Sequence, residues 1–145
     1  MILRALSALL LSVIYAASAG VCTLVWWRLT HDPAHPGPLI PDHIEWGRMM
    51  AFFVTLFAAV LGAFVALSVS LTQSRKLYSA IFGGAVGVVL FLMYLADTLK
   101  VAPSRYHTRA EMRLSLAVWF LIFPVGLALL ATAASALSAL IKRRS

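Results

Sequence analysis

Residues 114–141 read LSLAVWFLIFPVGLALLATAASALSALI, a long stretch without a single charged side chain. Three similar charge-free windows precede it, at residues 5–27, 49–74 and 77–96. A helix of about 20 apolar residues crosses a hydrocarbon core of about 30 Å, and an ionised side chain at mid-bilayer costs about 2.5–3.5 kcal/mol. The windows therefore predict an all-α, integral membrane four-helix bundle of two transmembrane hairpins, in one membrane domain over residues 1–145.

The four spans are expected at about residues 5–27, 49–72, 77–97 and 113–141. Pro103 is expected to end the third span and Pro124 to kink the fourth. The first window also has features of a signal peptide, since Ala17-Ser18-Ala19 fits the small-x-small cleavage pattern. Its apolar run continues to Trp27, however, whereas signal peptides have only about 7–15 apolar residues. A retained signal-anchor helix is therefore the prediction for this window.

Composition agrees with a membrane protein, with 62% hydrophobic and 12% charged residues, against roughly 45–50% and 25% in soluble domains. The formal net charge of +7 lies in short loops and tails beside helix ends. There basic side chains meet lipid head groups or set orientation, so the charge is not a nucleic-acid footprint. Cys22 is the only cysteine, which excludes a disulfide framework and a cysteine-based metal site.

Basic residues are divided equally between the two sides of the predicted bundle. One side holds Arg4, Arg75, Lys76, Lys142, Arg143 and Arg144, and the other holds Arg28, Arg48, Lys100, Arg105, Arg109 and Arg113. The acids, Asp32, Asp42, Glu45, Asp97 and Glu111, all fall on the second side. The compact Lys142–Arg144 tail and the short Arg75–Lys76 loop favour placing both termini in the cytoplasm. The composition is typical of a bacterial inner (cytoplasmic) membrane protein.

Small and aromatic residues suggest how the helices meet each other and the lipid. Small side chains allow helix backbones to approach closely in a membrane, and stripes of them include Gly20, Gly62, Gly83 and Gly87. These four glycines are predicted helix-packing residues, either between the four spans or against another subunit. The tryptophans lie near predicted outer span ends, which predicts an interfacial aromatic belt: Trp26, Trp27, Trp46 and Trp119.

The first outer loop concentrates side chains that bind metals. His31, His35 and His43 lie among three acids within fifteen residues, and converging imidazoles hold zinc or copper. Pro33 separates His31 from His35, which removes the i,i+4 geometry of a helical pair. The loop is therefore either a zinc or copper site or a solvated arm without a cofactor, and no other cofactor signature is present.

Two further groups of charges have alternative interpretations. Asp97 at the end of span three is a candidate for ion handling, or it pairs with Lys100 three residues later. The basic second outer loop either binds an anionic lipid or an acidic partner, or only neutralises head-group phosphate; its residues are Lys100, Arg105, His107, Arg109 and Arg113.

Three classes of function remain open. The first is a non-catalytic accessory, assembly or anchoring subunit of a membrane complex, with the lipid bilayer and other subunits, or further copies of itself, as partners. The second is a small oligomeric transporter or channel. Small multidrug exporters are similar in size and span count, but they require a carboxylate in the middle of span one, and residues 5–27 contain none. The third is a membrane enzyme or a metal-handling protein that uses the histidine-rich loop.

Overall fold

Helices account for nearly the whole described chain in the computed structural model, which describes residues 1–30, 43–72, 75–105 and 109–144. Helices α1 (Ile2–Thr30), α2 (His43–Thr72) and α3 (Lys76–Arg105) are followed by α4 (Arg109–Phe120), a π-helical turn (Leu121–Val125) and α5 (Gly126–Arg144). The last three elements join end to end into one span, Arg109–Arg144, called here the fourth span. The predicted all-α bundle with four apolar helices is confirmed.

The helices are longer than the predicted spans, which all lie inside them. Helix α1 has 29 residues, or about 43 Å at 1.5 Å per residue, so its ends extend beyond the hydrocarbon. Pro103, expected to close the third span, lies in the last turn of α3, which ends at Arg105. Proline removes one hydrogen bond to the carbonyl four residues earlier. Only two helical residues follow Pro103, so the proline disturbs no more than the final turn.

Hydroxyl side chains within the spans bond to carbonyls of their own helix. Thr23 Oγ1 donates to the Ala19 carbonyl at 2.8 Å, and Thr55 Oγ1 donates to the Ala51 carbonyl at 2.7 Å. Thr132 does the same with the Ala128 carbonyl at 2.8 Å. Lipid offers no hydrogen-bond partner, so these local bonds let serine and threonine lie in a span at little cost.

The helices are arranged in three layers. Helices α1 and α2 form a closely packed antiparallel hairpin, and the fourth span lies against both of them. Helix α3 packs against the far side of the fourth span and makes almost no close contact with α1 or α2 in the described residues. Within their most apolar windows, 44% of the residues of the fourth span are buried but only 17% of those of α3. The fourth span is therefore central and α3 is peripheral.

The interior changes character along the bundle axis. One half is filled by aliphatic side chains of α1, α2 and α5, including Val65, Val69, Leu127 and Leu130. The other half contains aromatic side chains, including Trp26, Trp119 and Phe123, packed with alanines of α1 and α2. The hydrophobic side chains that α3 adds to the two halves are only partly buried.

Candidate functional site

The two glycines predicted to pack α1 and α2 lie in their mutual interface. A Cβ atom at Gly20 would collide with the Thr55 hydroxyl oxygen. At Gly62 it would lie 2.9 Å from a ring carbon of Tyr15 and 3.2 Å from a methyl carbon of Leu130. Gly62 therefore lies at the meeting point of α1, α2 and the fourth span.

Gly83 and Gly87 bring α3 onto the backbone of the fourth span. A Cβ at Gly83 would collide with the Leu127 carbonyl oxygen, and one at Gly87 would collide with the Phe123 carbonyl oxygen. Backbone atoms cannot rotate away as a side chain can, so these contacts require glycine. All four predicted glycines thus contact another helix of the same chain.

An aromatic cluster lies where α1, α3 and α4 meet, and we define it by Trp26, Tyr94, Trp119 and Phe123. Trp119 is stacked on Phe123, with ring centroids 5.7 Å apart, and meets Trp26 edge-on at 5.6 Å. Trp26 Nε1 donates to Ser115 Oγ at 2.7 Å. Trp26 and Trp119 are 7% and 5% exposed, so the expectation of a lipid-facing belt was wrong for both. Their rings fill the space between helices instead.

Two buried polar atoms near this cluster have no hydrogen-bond partner in the described residues, namely Trp119 Nε1 and Thr98 Oγ1. Thr98 is one helical turn beyond Tyr94 on α3, and both residues are on the side of α3 that faces the fourth span. Burying an unpaired polar group is costly, and an ordered water with two or more partners usually relieves that cost. Hydroxyl and indole groups can bind and orient a polar molecule through hydrogen bonds. They do not supply a general acid or a general base.

The π-helical turn is coupled to α1 through Tyr15. Pro124 has no N–H, and the Gly126 N–H bonds to the carbonyls of Leu121 and Phe123 rather than to that of Ile122. Tyr15 Oη donates to the Ile122 carbonyl at 3.0 Å, which gives that carbonyl a partner from another helix. Sequence reasoning predicted a kink at Pro124 but missed Tyr15. The available signal was a hydroxyl-bearing ring in the middle of an otherwise apolar span.

Asp97 lies on α3 and is exposed, three residues before the exposed Lys100 on the same helix. Side chains three residues apart are neighbours on the surface of an α-helix, and Asp97 and Lys100 have this spacing. Asp97 therefore lies on the surface of the bundle rather than between its helices. The expectation that it handles an ion stays a prediction.

The predicted histidine site falls mostly outside the part of the chain that the structure describes. His31 and His35 lie in the segment between α1 and α2, and His43 is the first residue of α2. Among the described residues, no three His, Cys, Asp or Glu side chains are grouped so that they could hold a metal ion. Zinc or copper binding by His31, His35 and His43 stays a prediction.

The outward face of α3 carries an apolar stripe that no helix in the described part of the chain covers. Its members are spaced alternately by three and four residues and are all exposed: Tyr78, Ile81, Ala85, Val88 and Leu92. This spacing is the heptad pattern by which two helices pack with a left-handed crossing. Ala85 is the smallest member and lies at the centre, where a partner backbone could approach most closely. We refer to these five residues as the α3 stripe.

No protein family model matches this chain, and neither a curated protein nor a solved structure matches it. The fold itself defines the class of protein, because four helices are long and apolar enough to cross a membrane. The chain is an integral membrane protein in contact with the lipid bilayer.

Proposed function

We propose that this chain is a non-catalytic accessory, assembly or anchoring subunit of a larger membrane complex, and that it binds its partner through the α3 stripe. The observation that carries the proposal is the peripheral position of α3. The inward face of this helix is held tightly by Gly83 and Gly87, while its outward face presents a helix-packing pattern to the membrane. The partner that fits is a transmembrane helix with a matching apolar stripe.

The interior of the bundle supports this class over a transporter. Among the residues that the structure describes, the buried polar side chains are serines and threonines, and several of them bond to carbonyls of their own helix. Asp97, the candidate for ion handling, lies on the bundle surface. A subunit that only binds other subunits needs no ionisable group between its helices. The proposal includes the earlier expectation of a bacterial cytoplasmic membrane, with both termini in the cytoplasm.

The proposal is tested by bulky substitutions on two exposed alanines. Ala85 lies in the α3 stripe, and Ala17 lies on the exposed side of α1. Ala85→Trp should release a stoichiometric partner when the chain is purified from its native membrane in mild detergent, because the indole separates the two helix backbones. Ala17→Trp adds the same bulk elsewhere and should retain the partner. If both variants fold stably and retain the partner equally, the α3 stripe is not the surface that binds the partner.

Asp97→Asn distinguishes the subunit from an ion-coupled transporter. The amide keeps the shape of the side chain and removes its charge, so partner retention and abundance should match the parent chain. If purified chain reconstituted into vesicles carries an ion current or flux that this substitution abolishes, the transporter function is correct and the subunit function is wrong.

A further inference from the structure

Thr98 is a buried threonine whose hydroxyl does not bond to its own helix. Within the spans, Thr23 Oγ1 donates to the carbonyl four residues earlier, which is the usual way for a helical threonine to satisfy its hydroxyl. Thr98 is fully buried, yet its Oγ1 has no hydrogen-bond partner in the described residues. The hydroxyl of Thr98 is therefore directed away from the α3 backbone and toward the interior of the bundle.

The register between α3 and the fourth span sets Thr98 level with a second buried hydroxyl. The glycine contacts described above show that the two helices run antiparallel, and Tyr94 meets Trp119 with ring centroids 5.4 Å apart. Thr98 lies one turn after Tyr94 on α3, and Ser115 lies one turn before Trp119 on α4. Thr98 and Ser115 are both fully buried, so they face each other between the two helices.

The direction of helical side chains brings the Thr98 hydroxyl and the Trp119 indole together. Side chains on an α-helix lean toward the N-terminus of their own helix. Because α3 and α4 are antiparallel, Thr98 leans toward the level of Trp119, and Trp119 leans toward the level of Ser115. Both unpaired donors therefore converge beside Ser115 Oγ, which accepts from Trp26 Nε1 at 2.7 Å. Polar groups of α1, α3 and α4 meet at this point.

The position and the close packing of these groups favour a small polar ligand. Gly83 and Gly87 hold α3 directly on the backbone of the fourth span, so the helices are too close together for a large molecule. The charge-free windows end at residue 96 and begin again at residue 114. Thr98 and Ser115 thus lie at the level where charged side chains, and with them water, begin.

We infer that one ordered water molecule binds between α3 and α4. Its oxygen accepts hydrogen bonds from Thr98 Oγ1 and Trp119 Nε1, and one of its protons is donated to Ser115 Oγ. A serine oxygen has two lone pairs, so Ser115 accepts this bond in addition to the one from Trp26. Buried waters make about three hydrogen bonds, which is the number supplied here. The water joins the end of α3 to α4 beyond the glycine contacts, and it does not depend on the binding of a partner to the α3 stripe.

NMR of the purified full chain in detergent micelles, with ¹⁵N-labelled tryptophan, tests the inference. The indole proton of Trp119, identified by its loss in Trp119→Phe, should give a cross-peak with water that has opposite signs in NOE and ROE spectra. Opposite signs distinguish a bound water from proton exchange. Thr98→Val keeps the shape of the side chain without its hydroxyl and should remove the cross-peak, whereas Thr98→Ser should retain it. The control Thr132→Val removes a hydroxyl that bonds to its own helix and should leave the cross-peak unchanged.

Thermal unfolding gives a second test, in which the two alternatives have opposite signs. If water is bound, Thr98→Val breaks the bridge and should lower the unfolding midpoint by about 2–4 °C. If the Thr98 hydroxyl is buried without a partner, the same substitution removes an unpaired polar group and should raise the midpoint. The inference is wrong if the midpoint rises, if Trp119 shows no cross-peak with water, or if Thr132→Val removes the cross-peak as Thr98→Val does.

Discussion

Gly83 and Gly84 are neighbours in the sequence with opposite surroundings. A Cβ at Gly83 would lie 2.8 Å from the Cβ of Ala131, in addition to its collision with the Leu127 carbonyl oxygen. At Gly84 the nearest atom would be the Ala128 Cβ at 3.7 Å, an ordinary van der Waals contact. One methyl group is therefore incompatible with the first position and acceptable at the second.

Gly83→Ala should lower the free energy of unfolding by about 1–3 kcal/mol, because α3 must move away from the fourth span. Gly84→Ala should change it by less than about 0.5 kcal/mol. The two variants are compared by SDS titration of the chain in mixed micelles. Equal stability of both would mean that α3 does not rest on the fourth span in this register.

At the residue scale, the size of a side chain can be read from the sequence, but the direction in which it points cannot. Gly20, Gly62, Gly83 and Gly87 belong to stripes of small residues, and such stripes point to close helix approach. Trp26 and Trp119 were placed in a lipid-facing belt because both lie near span ends. Whether a ring near a span end faces lipid or a neighbouring helix depends on the rotation of its helix, which the hydropathy of a uniformly apolar span does not reveal.

At the scale of elements, the π-helical turn and Tyr15 act as one unit. In a regular α-helix the Ile122 carbonyl would accept the Gly126 N–H. The turn around Pro124 redirects that N–H, and the Tyr15 hydroxyl takes its place. Pro124 predicts the irregularity from the sequence. The identity of the compensating donor could not be predicted, since it comes from a residue 107 positions away.

The coupling is measurable with a double-mutant cycle of Tyr15→Phe and Pro124→Ala. Tyr15→Phe alone should cost about 1 kcal/mol of stability, because the Ile122 carbonyl loses its partner. In the Pro124→Ala background the cost should be smaller, because the alanine N–H allows a regular helix in which Gly126 donates to Ile122. Tyr78→Phe, on the exposed face of α3, is the control and should be neutral. Additive effects within about 0.3 kcal/mol would contradict the coupling.

At the scale of the whole molecule, the number of spans followed directly from the charge-free windows, but their layering did not. The stripes of small residues occur in every span, so they did not indicate that the fourth span would be central and α3 peripheral. Connectivity favoured two hairpins, and the structure contains both. In the described residues α2 and α3 make almost no close contact, and the short connection between them in the sequence gives no sign of this.

Topology in the membrane is tested by introduced cysteines in a Cys22→Ala background. Cysteine at Pro38 or Ser104 should react with a membrane-impermeant thiol reagent in intact cells, because the sequence predicts both positions on the side opposite the termini. Cysteine at Ser74 should react only after the membrane is permeabilised. Labelling of intact cells at Ser74 but not at the other two positions would invert the orientation.

The central proposal, that α3 binds a partner helix through its outward stripe, is tested most directly by photo-crosslinking. A photoreactive side chain is placed at each exposed position from 78 to 92 in turn and irradiated in the native membrane. Cross-links to one partner should peak at Tyr78, Ile81, Ala85, Val88 and Leu92, and positions Val13 and Val60 on the exposed faces of α1 and α2 should give none. Cross-links to lipid alone along α3, or to the same partner equally from all three helices, would contradict the proposal.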